Sequence, residues 1–298
     1  STAQDRIAGN GLVTTTLASL TLLAILGAPP ASAQPVVTDC TTSIYATVPD
    51  PLALSFGLDG SLYTGRDNSG SGGGSADAVK IHRIGPGGSP VTEFGSVAIP
   101  DPDAVIVDRA GVLSGIAGAV LVGGQTSPGN GKVSRIAPDG TVTVLFGPSS
   151  LFSNPSGFAF DSLGRLLFTD SAGGRVYRSD GSAPVLLFNL ADAYAIAVDA
   201  ADRIVVGLGN TGKLVLYSAS GTLSNANFAA VRAGSPLARG PGGMWTTDLY
   251  AITGGGELIR IALDGTTNKM GSGFAKIEGL TFGPDGALYA SEFLNDRI

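Results

Sequence analysis

The chain has 298 residues, of which 43% are hydrophobic and only 14% are charged, and glycine is the commonest residue type with 45 copies. This length and apolar content suffice for a large core, while the low charge and the many glycines favour short strands joined by turns over long surface helices. The formal net charge is −6, and no cluster of Lys and Arg occurs. Nucleic acid is therefore excluded as a partner, because neutralising phosphates requires clustered cations.

The first element along the chain is an apolar, uncharged run at residues 11–28, followed by two prolines and by small residues at Ala31 and Ala33. The small residues fit the A-x-A cleavage pattern, and the run is short for a membrane-spanning helix. We predict a signal peptide over residues 1–33, a secreted, periplasmic or extracellular location, and no stable membrane insertion after cleavage. A retained anchor is the alternative, because Arg6 is the only basic residue ahead of the run.

Residues 154–188 define the repeat of the following domain. Four short runs of aliphatic, aromatic and β-branched residues alternate with Gly, Asp and Ser, a pattern typical of antiparallel hairpins. The unit of an apolar run, a turn and a second apolar run recurs about every 40 to 50 residues, which is the period of propeller blades. Its six copies begin at Leu54, Val105, Phe158, Ile196, Pro241 and Leu280.

The two ends of the repeat region complement each other. The sixth copy reaches Ile298 just inside its third strand, and an additional strand, TTSIYATV, occupies residues 41–48 ahead of the first copy. Pairing these two ends would remove the exposed edges of an open ring. We therefore predict a single all-β domain over residues 34–298, a six-bladed β-propeller with four-stranded antiparallel blades, in which the N-terminal strand completes the last blade.

Radial sheets would bring residues from every copy to one face of the central channel. The residues directly before the six inner strands are Leu52, Asp103, Ser156, Tyr194, Arg239 and Glu278. Polar residues two positions earlier and in the following loops extend this face as a rim: Asp50, Asp67, Asp101, Asn154, Asp170, Asp192 and Glu292. Aspartates in the turns of the opposite face, such as Asp59 and Asp285, are expected to act as turn formers.

The rim oxygens suit a hard divalent cation such as Ca²⁺, and we predict Glu278, Asp103 and Asn154 as its ligands. The alternative is that Asp and Asn next to a strand cap backbone N–H groups. The glycine-rich segment at residues 67–77 lacks the spacing and the terminal glutamate of an EF-hand loop, and no organic cofactor is indicated.

Nucleophilic catalysis by a Ser, His and Asp arrangement is disfavoured. The only histidine, His82, lies in a predicted third strand far from the channel, and the only cysteine, Cys40, has no nearby histidine. Candidate catalytic residues are instead Glu278, Asp103 and Arg239, with Tyr194 as a further polarising group.

The segments NPSGFAFDSLGRLLFTDSAGGRVYR and IEGLTFGPDGALYASEFLNDRI resemble the repeats of NHL-type propellers and of the regucalcin and gluconolactonase superfamily. The resemblance covers residues 41–298 at the level of architecture. It implies an inner-ring metal held by a Glu, an Asn and an Asp. Glu278 before Gly279 matches the Glu position, whereas Ser156 stands where the family has Asn and Tyr194 where Asp is expected.

Three functions remain open at this point, because propellers serve all of them. The leading hypothesis is a secreted, monomeric binding protein whose acidic channel face takes a small polar ligand, a divalent cation, or a protein or glycan partner. The alternative is a metal-dependent hydrolase of the lactonase type, with Arg239 stabilising the oxyanion. A purely structural surface module is the third.

Overall fold

The structure, a computed structural model, describes residues 34–67, 78–127 and 129–298. The predicted signal peptide and residues 68–77 of the glycine-rich segment lie outside the described residues. Within the described ranges, no helix is long and apolar enough to span a membrane.

The described chain is built almost entirely from short antiparallel strands. β1 (Val36–Val37) comes first and joins the fifth blade. The first blade contains β2 (Pro51–Phe56), β3 (Leu62–Arg66), β4 (Ala78–Ile84) and β5 (Val91–Pro100). The second contains β6 (Ala104–Asp108), β7 (Ala119–Ser127), β8 (Asn130–Ile136) and β9 (Val142–Ser149). The third contains β10 (Pro155–Phe160), β11 (Leu166–Asp170), β12 (Arg175–Ser179) and β13 (Val185–Asn189).

The remaining strands form one regular blade, one irregular blade and a hairpin. The fourth blade contains β14 (Ala193–Val198), β15 (Ile204–Leu208), β16 (Lys213–Tyr217) and β17 (Leu223–Ala230). The fifth contains β18 (Ala238–Arg239), β19 (Leu249–Ile252), β20 (Glu257–Ile261) and β21 (Thr267–Ser272), with β1 on its outer edge. A two-stranded sheet follows, made of β22 (Ile277–Phe282) and β23 (Leu288–Glu292). Single 3₁₀ turns occur at Pro86–Gly88, Gly243–Trp245 and Phe293–Asn295.

The prediction of six four-stranded blades is wrong. The structure is an all-β propeller with five blades, and the sixth repeat contributes only the hairpin β22–β23, which lies between β18 and β2. Residues 41–48 form no regular strand, but Tyr45 and Val48 donate backbone hydrogen bonds to Ile298 and Asp296, and Thr47 bridges Arg297, so the N-terminal segment does pair with the last repeat. The strand that the N-terminal part supplies is β1, which pairs with β21 of the fifth blade.

The core lies between neighbouring sheets. Each pair of adjacent sheets shares a cluster of buried aliphatic and aromatic side chains, as between the third and fourth blades, where Leu167 and Val176 pack with Val206 and Val215. A further cluster joins the terminal hairpin to the first blade and includes Val48. The strands therefore bury both faces, which explains why their sequences are nearly continuous apolar runs.

Aspartates in the connecting turns hold the hairpins in register. Asp59, Asp139 and Asp285 each accept a hydrogen bond from the backbone N–H two residues later. This is the Asx-turn geometry that the Asp and Gly pattern predicts.

Candidate functional site in the central channel

The inner strands surround a cavity of about 100 Å³. Five of the six residues that directly precede the predicted inner strands line it: Leu52, Asp103, Ser156, Tyr194 and Glu278. The cavity is smaller than the roughly 300 to 1,000 Å³ of pockets for drug-sized ligands. It suits a small polar molecule or the reactive end of a longer one.

β-Bulges aim three of these side chains into the cavity. The strand register shifts between Pro155 and Gly157 in β10, and equivalent shifts in β14 and β22 fall at Tyr194 and Glu278. In each strand the extra residue leaves the ladder, and a bulge commonly re-aims such a side chain. The bulged residues are Ser156, Tyr194 and Glu278, so the same local irregularity in three repeats builds one wall of the cavity.

Asp103 reaches the cavity from a tight turn ahead of β6. Its backbone N–H donates to the carbonyl of Asp101, whose φ of +47° lies in the left-handed region. Asn154 Nδ2 lies 3.4 Å from Asp103 Oδ2, whereas Asn154 Oδ1 is buried without a hydrogen-bond partner in the described part of the chain. Burial, followed by the negative charge of Asp101, raises the pKa of Asp103 to about 7. Asp103 can therefore exchange a proton near neutral pH.

Glu278 faces two cations. Its Oε1 lies 3.6 Å from Arg232 Nη2 and 3.5 Å from Lys276 Nζ. Burial still raises the pKa of Glu278, although Lys276 and Arg232 favour its ionised form. The carboxylate of Glu278, which lines the cavity, and the two cations beside it form a charge cluster.

Hydroxyl groups complete the polar lining. Burial, and then the negative charges of Asp103 and Glu278, raise the pKa of Tyr194 well above its ordinary value, so its hydroxyl remains protonated. Ser156 Oγ lies 2.5 Å from Ser171 Oγ. The cavity thus offers neutral hydrogen-bond donors beside a carboxyl group that titrates near pH 7.

Arg239 lies outside the cavity. It is exposed in β18 opposite Leu249, and the arginine beside Glu278 is Arg232. Arg232 also donates to the carbonyl of Ile277, which fixes its guanidinium next to β22. The sequence signal for Arg232 is weak, because the fifth repeat is degenerate and its inner strand has only two residues.

Several predicted rim residues make backbone contacts of the capping type. Asp170 Oδ1 accepts from the N–H groups of Ser153, Asn154 and Gly173. Asp192 accepts from the N–H of Asn210.

The other rim residues are held by local contacts too. Asp50 has a φ of +46° and donates its N–H to Asp296, and Asp101 accepts from Gln125. Glu292 is buried against Arg297. Burial alone would raise its pKa, but hydrogen bonds from Arg297 and the Ala275 N–H hold it below its usual value. Asp50, Asp170, Asp192 and Glu292 do not line the cavity, whereas Asp103 and Ser156 do.

The predicted cation ligands do not fit a metal as they are arranged. The carboxylate of Glu278 is paired with two positive side chains, and the amide nitrogen of Asn154 faces Asp103. No group of three or more His, Cys, Asp and Glu side chains suited to a metal occurs within residues 34–67, 78–127 and 129–298. The divalent cation stays a prediction from the sequence.

His82 and Cys40 lie away from the cavity. His82 is buried in β4, where burial, and then the charge of Arg66, lower its pKa. Cys40 is a half-buried free thiol near the terminal hairpin.

Comparison with known proteins gives the fold but no close relative. No protein-family model and no curated protein matches the chain. A gluconolactonase from Xanthomonas campestris superposes with a TM-score of 0.65 at 14% identity, covering 88% of this chain and 95% of the other. The virginiamycin B lyase from Staphylococcus aureus superposes with a TM-score of 0.56 at 17% identity, covering 87% of this chain and 81% of the lyase chain. A glucose dehydrogenase superposes with a TM-score of 0.58 at 15% identity, covering 84% of this chain and 95% of the other.

The chain has the fold of the NHL and regucalcin-like propeller superfamily. Its structural neighbours are gluconolactonase-like and virginiamycin B lyase-type propellers, as the repeat motifs indicated. Sequence identities below 20% show only that the folds are alike. The function of this propeller therefore depends on the chemistry of its own cavity.

Proposed function

We propose that the protein hydrolyses a small cyclic ester in the central cavity, with Asp103 as general base. The observation that carries this proposal is the position of Asp103, a carboxyl group with a pKa of about 7 in a cavity that also contains Tyr194 and Glu278. A general base is most effective when its pKa lies near the working pH. The fold shared with the Xanthomonas campestris gluconolactonase supports this choice of reaction class.

The reaction requires one proton acceptor and one stabilised oxyanion. Ionised Asp103 takes a proton from a water molecule, whose oxygen attacks the lactone carbonyl. The negative charge that develops on the carbonyl oxygen is stabilised by the protonated hydroxyl of Tyr194, which lines the cavity, and by the positive charge of Arg232 beside Glu278. When the ring C–O bond breaks, the leaving oxygen takes the proton from Asp103, and a hydroxy acid is released.

Glu278 acts here through its neighbours. It pairs with Arg232 and Lys276, and the positive charge of these two side chains favours the carboxylate product and the oxyanion alike.

The test is turnover of five- and six-membered lactones, D-glucono-1,5-lactone among them, by the wild type and by Asp103→Asn. For the wild type we expect kcat/KM to rise with pH and to reach half its maximum near pH 7, because only ionised Asp103 accepts a proton. The Asn variant should lose about 10²- to 10⁴-fold in kcat, which is the usual contribution of a general base.

Asp192→Asn is the matched control. Asp192 caps a turn outside the cavity, so its variant should keep the wild-type rate and pH profile. Equal activity of Asp103→Asn and the wild type, or no hydrolysis of any lactone by the wild type, would contradict the proposal.

A second candidate function is reversible binding of a small polar ligand without chemistry. The charge cluster of Glu278, Arg232 and Lys276 favours it, because paired acceptors and donors suit a polyhydroxylated ligand. Calorimetry that detects saturable binding of a lactone or its hydroxy acid, without turnover, would assign the cavity to this function.

A further inference from the structure

Thr169 is a fully buried polar residue whose hydroxyl bonds to the next blade. It lies near the end of β11, where it pairs with Gly157 of β10 and Val176 of β12. Its Oγ1 donates a hydrogen bond of 2.5 Å to the carbonyl oxygen of Tyr194 in β14. Buried hydroxyls need a hydrogen-bond partner, and this one finds it in the backbone of a cavity residue.

The carbonyl that accepts from Thr169 belongs to a bulged residue. Tyr194 is the extra residue between Ala193 and Ala195 of β14, and it lines the cavity. A bulged residue leaves the strand ladder, so the strand register alone does not set the direction of its side chain. The hydrogen bond from Thr169 supplies a fixed point at this residue.

The phenol ring of Tyr194 lies against two backbone segments. A Cβ added to Gly209 would lie 3.3 Å from Tyr194 Cβ, and one added to Gly234 would lie 3.7 Å from Tyr194 Cε1. Backbone this close limits the rotation of the ring. A shift of the Tyr194 backbone therefore moves the phenol hydroxyl with it.

The same contact recurs at the junction of the terminal hairpin with the first blade. Ser291 of β23 is fully buried, pairs with Gly279, and donates a hydrogen bond of 2.8 Å to the carbonyl oxygen of Leu52. Leu52 also lines the cavity, but its side chain is apolar. The two junctions share the hydrogen bond and differ in the chemistry of the residue that it holds.

The second and fourth blades have glycine at the position of Thr169. Gly123 and Gly207 each pair with the residue directly after the cavity position of their inner strand, as Thr169 does in the third blade. The pairing of the first two strands of a blade therefore does not require a side chain at this position. The hydroxyl of Thr169 serves the neighbouring blade instead.

We propose that Thr169 is a positioning residue for Tyr194. Thr169 does not line the cavity, and it acts by holding the Tyr194 backbone so that the phenol hydroxyl meets the carbonyl oxygen that becomes negative. This role rests on the proposed lactone hydrolysis. Because an oxyanion donor acts chiefly in the transition state, a misplaced phenol should lower kcat and leave KM nearly unchanged.

The kinetic test compares Thr169→Ala with Thr169→Ser on a lactone that the wild type hydrolyses. Loss of the hydroxyl should lower kcat by about 10- to 100-fold, the effect of a small misplacement of a catalytic group. The Ser variant keeps the hydroxyl and should keep the wild-type kcat. The glycines at this position in two other blades indicate that the Ala variant folds.

The double variant with Tyr194→Phe shows whether Thr169 acts through Tyr194. Without the phenol hydroxyl there is nothing left to misplace, so Thr169→Ala should cause at most about a twofold further loss of kcat. Equal losses of kcat in the two backgrounds would mean that Thr169 supports the sheets in general. That result would overturn the proposal.

Ser291→Ala is the matched control. It removes the same type of buried hydrogen bond at the junction where the held residue is Leu52. We expect it to lower the melting temperature as Thr169→Ala does, while kcat stays at the wild-type value. A loss of kcat as large as that of Thr169→Ala would show a general loosening of the ring and would contradict the proposal.

A measurement without turnover separates this proposal from the proposed function. NMR spectra of the full chain with ¹³C-labelled tyrosine rings, in which Tyr194→Phe identifies the Tyr194 signal, should show that signal shifted or broadened in Thr169→Ala and unchanged in Thr169→Ser and Ser291→Ala. An unchanged signal in Thr169→Ala would overturn the positioning role even if the wild type hydrolyses lactones. A changed signal in a protein that hydrolyses no lactone would support the positioning of Tyr194 and contradict the hydrolysis alone.

Discussion

Asp103 shows how one position in a repeat acquires a chemical role. Its equivalents in other repeats include Leu52, Ser156 and Tyr194 as well as Glu278, so the architecture itself does not require a carboxyl group at this position. Burial raises the pKa of Asp103 to about 7, because the ionised carboxylate loses its hydration and gains only a hydrogen bond from the amide of Asn154. A group that is costly to ionise and is not needed for the fold points to function.

This cost has a measurable effect on stability. The folded-state pKa of Asp103, about 7, lies above its unfolded value of 3.8. Between these pH values the unfolded chain loses the proton and the folded chain keeps it, so the free energy of unfolding falls as pH rises from about 4 to 7 and then levels off. At roughly 1.4 kcal/mol per pH unit, the loss is at most about 4 kcal/mol.

Asp103→Asn should remove this pH dependence. Between pH 4 and pH 8 the wild type should lose about 1 to 4 kcal/mol more of its unfolding free energy than the variant does. Urea denaturation at both pH values measures it. Parallel curves for the two proteins would show that Asp103 titrates normally, and the proposed general base would then lack its physical basis.

The sequence placed Asp103, Ser156, Tyr194 and Glu278 on a common rim, because each directly precedes a clear inner-strand pattern. It assigned Arg239, which does not line the cavity, to the same rim, and it did not single out Arg232, the ion-pair partner of Glu278. The 3₁₀ turn at Gly243–Trp245 and the two-residue strand β18 shift the register of the fifth repeat. Turn signals alone do not reveal such a shift.

At the scale of the strands, glycines let the inner strands approach one another. An added Cβ on Gly157 would lie 2.5 Å from the carbonyl oxygen of Tyr194, and one on Gly279 would lie 2.3 Å from that of Leu52. Both oxygens belong to the backbone, so neither can move away from an added methyl group without moving its strand. Glycine therefore follows the bulged residue wherever the neighbouring strand passes closest.

Gly279→Ala is expected to lower the free energy of unfolding by about 1 to 3 kcal/mol, because the added methyl group pushes β22 away from β2. Gly254→Ala is the control, since a Cβ there meets nothing within 4 Å and the backbone has no positive φ. Thermal and urea denaturation of both variants measure the difference. Equal stability of the two would mean that β22 and β2 are farther apart in solution.

At the scale of the whole molecule, the sequence predicted a propeller of radial sheets but gave the wrong number of blades. Six repeats are present as hairpin patterns, and each has an inner strand. Only five continue into sheets of four or more strands, because β23 has no third strand on its outer edge within the described residues. Repeat counting detects the first two strands of each unit, and it does not establish that the outer two are formed.

The ring is closed by the side chains at the junction of the hairpin and the first blade. Val48 is fully buried there, packs with Leu54 and Phe56, and donates its N–H to the carbonyl of Asp296. This junction combines residues from both ends of the described chain. It is held by side-chain packing and by backbone contacts of residues 45–48 with residues 296–298.

Val48→Ala should loosen this junction selectively. Removing two buried methyl groups is expected to cost about 2 kcal/mol. Val185→Ala removes the same atoms from an exposed position in β13 and should be neutral. Hydrogen exchange followed by mass spectrometry should show faster exchange in β22, β23 and β2 of Val48→Ala, with β11 and β15 unchanged, because local opening needs less energy than global unfolding. A uniform increase across all sheets would mean that the ring opens only when the whole propeller unfolds.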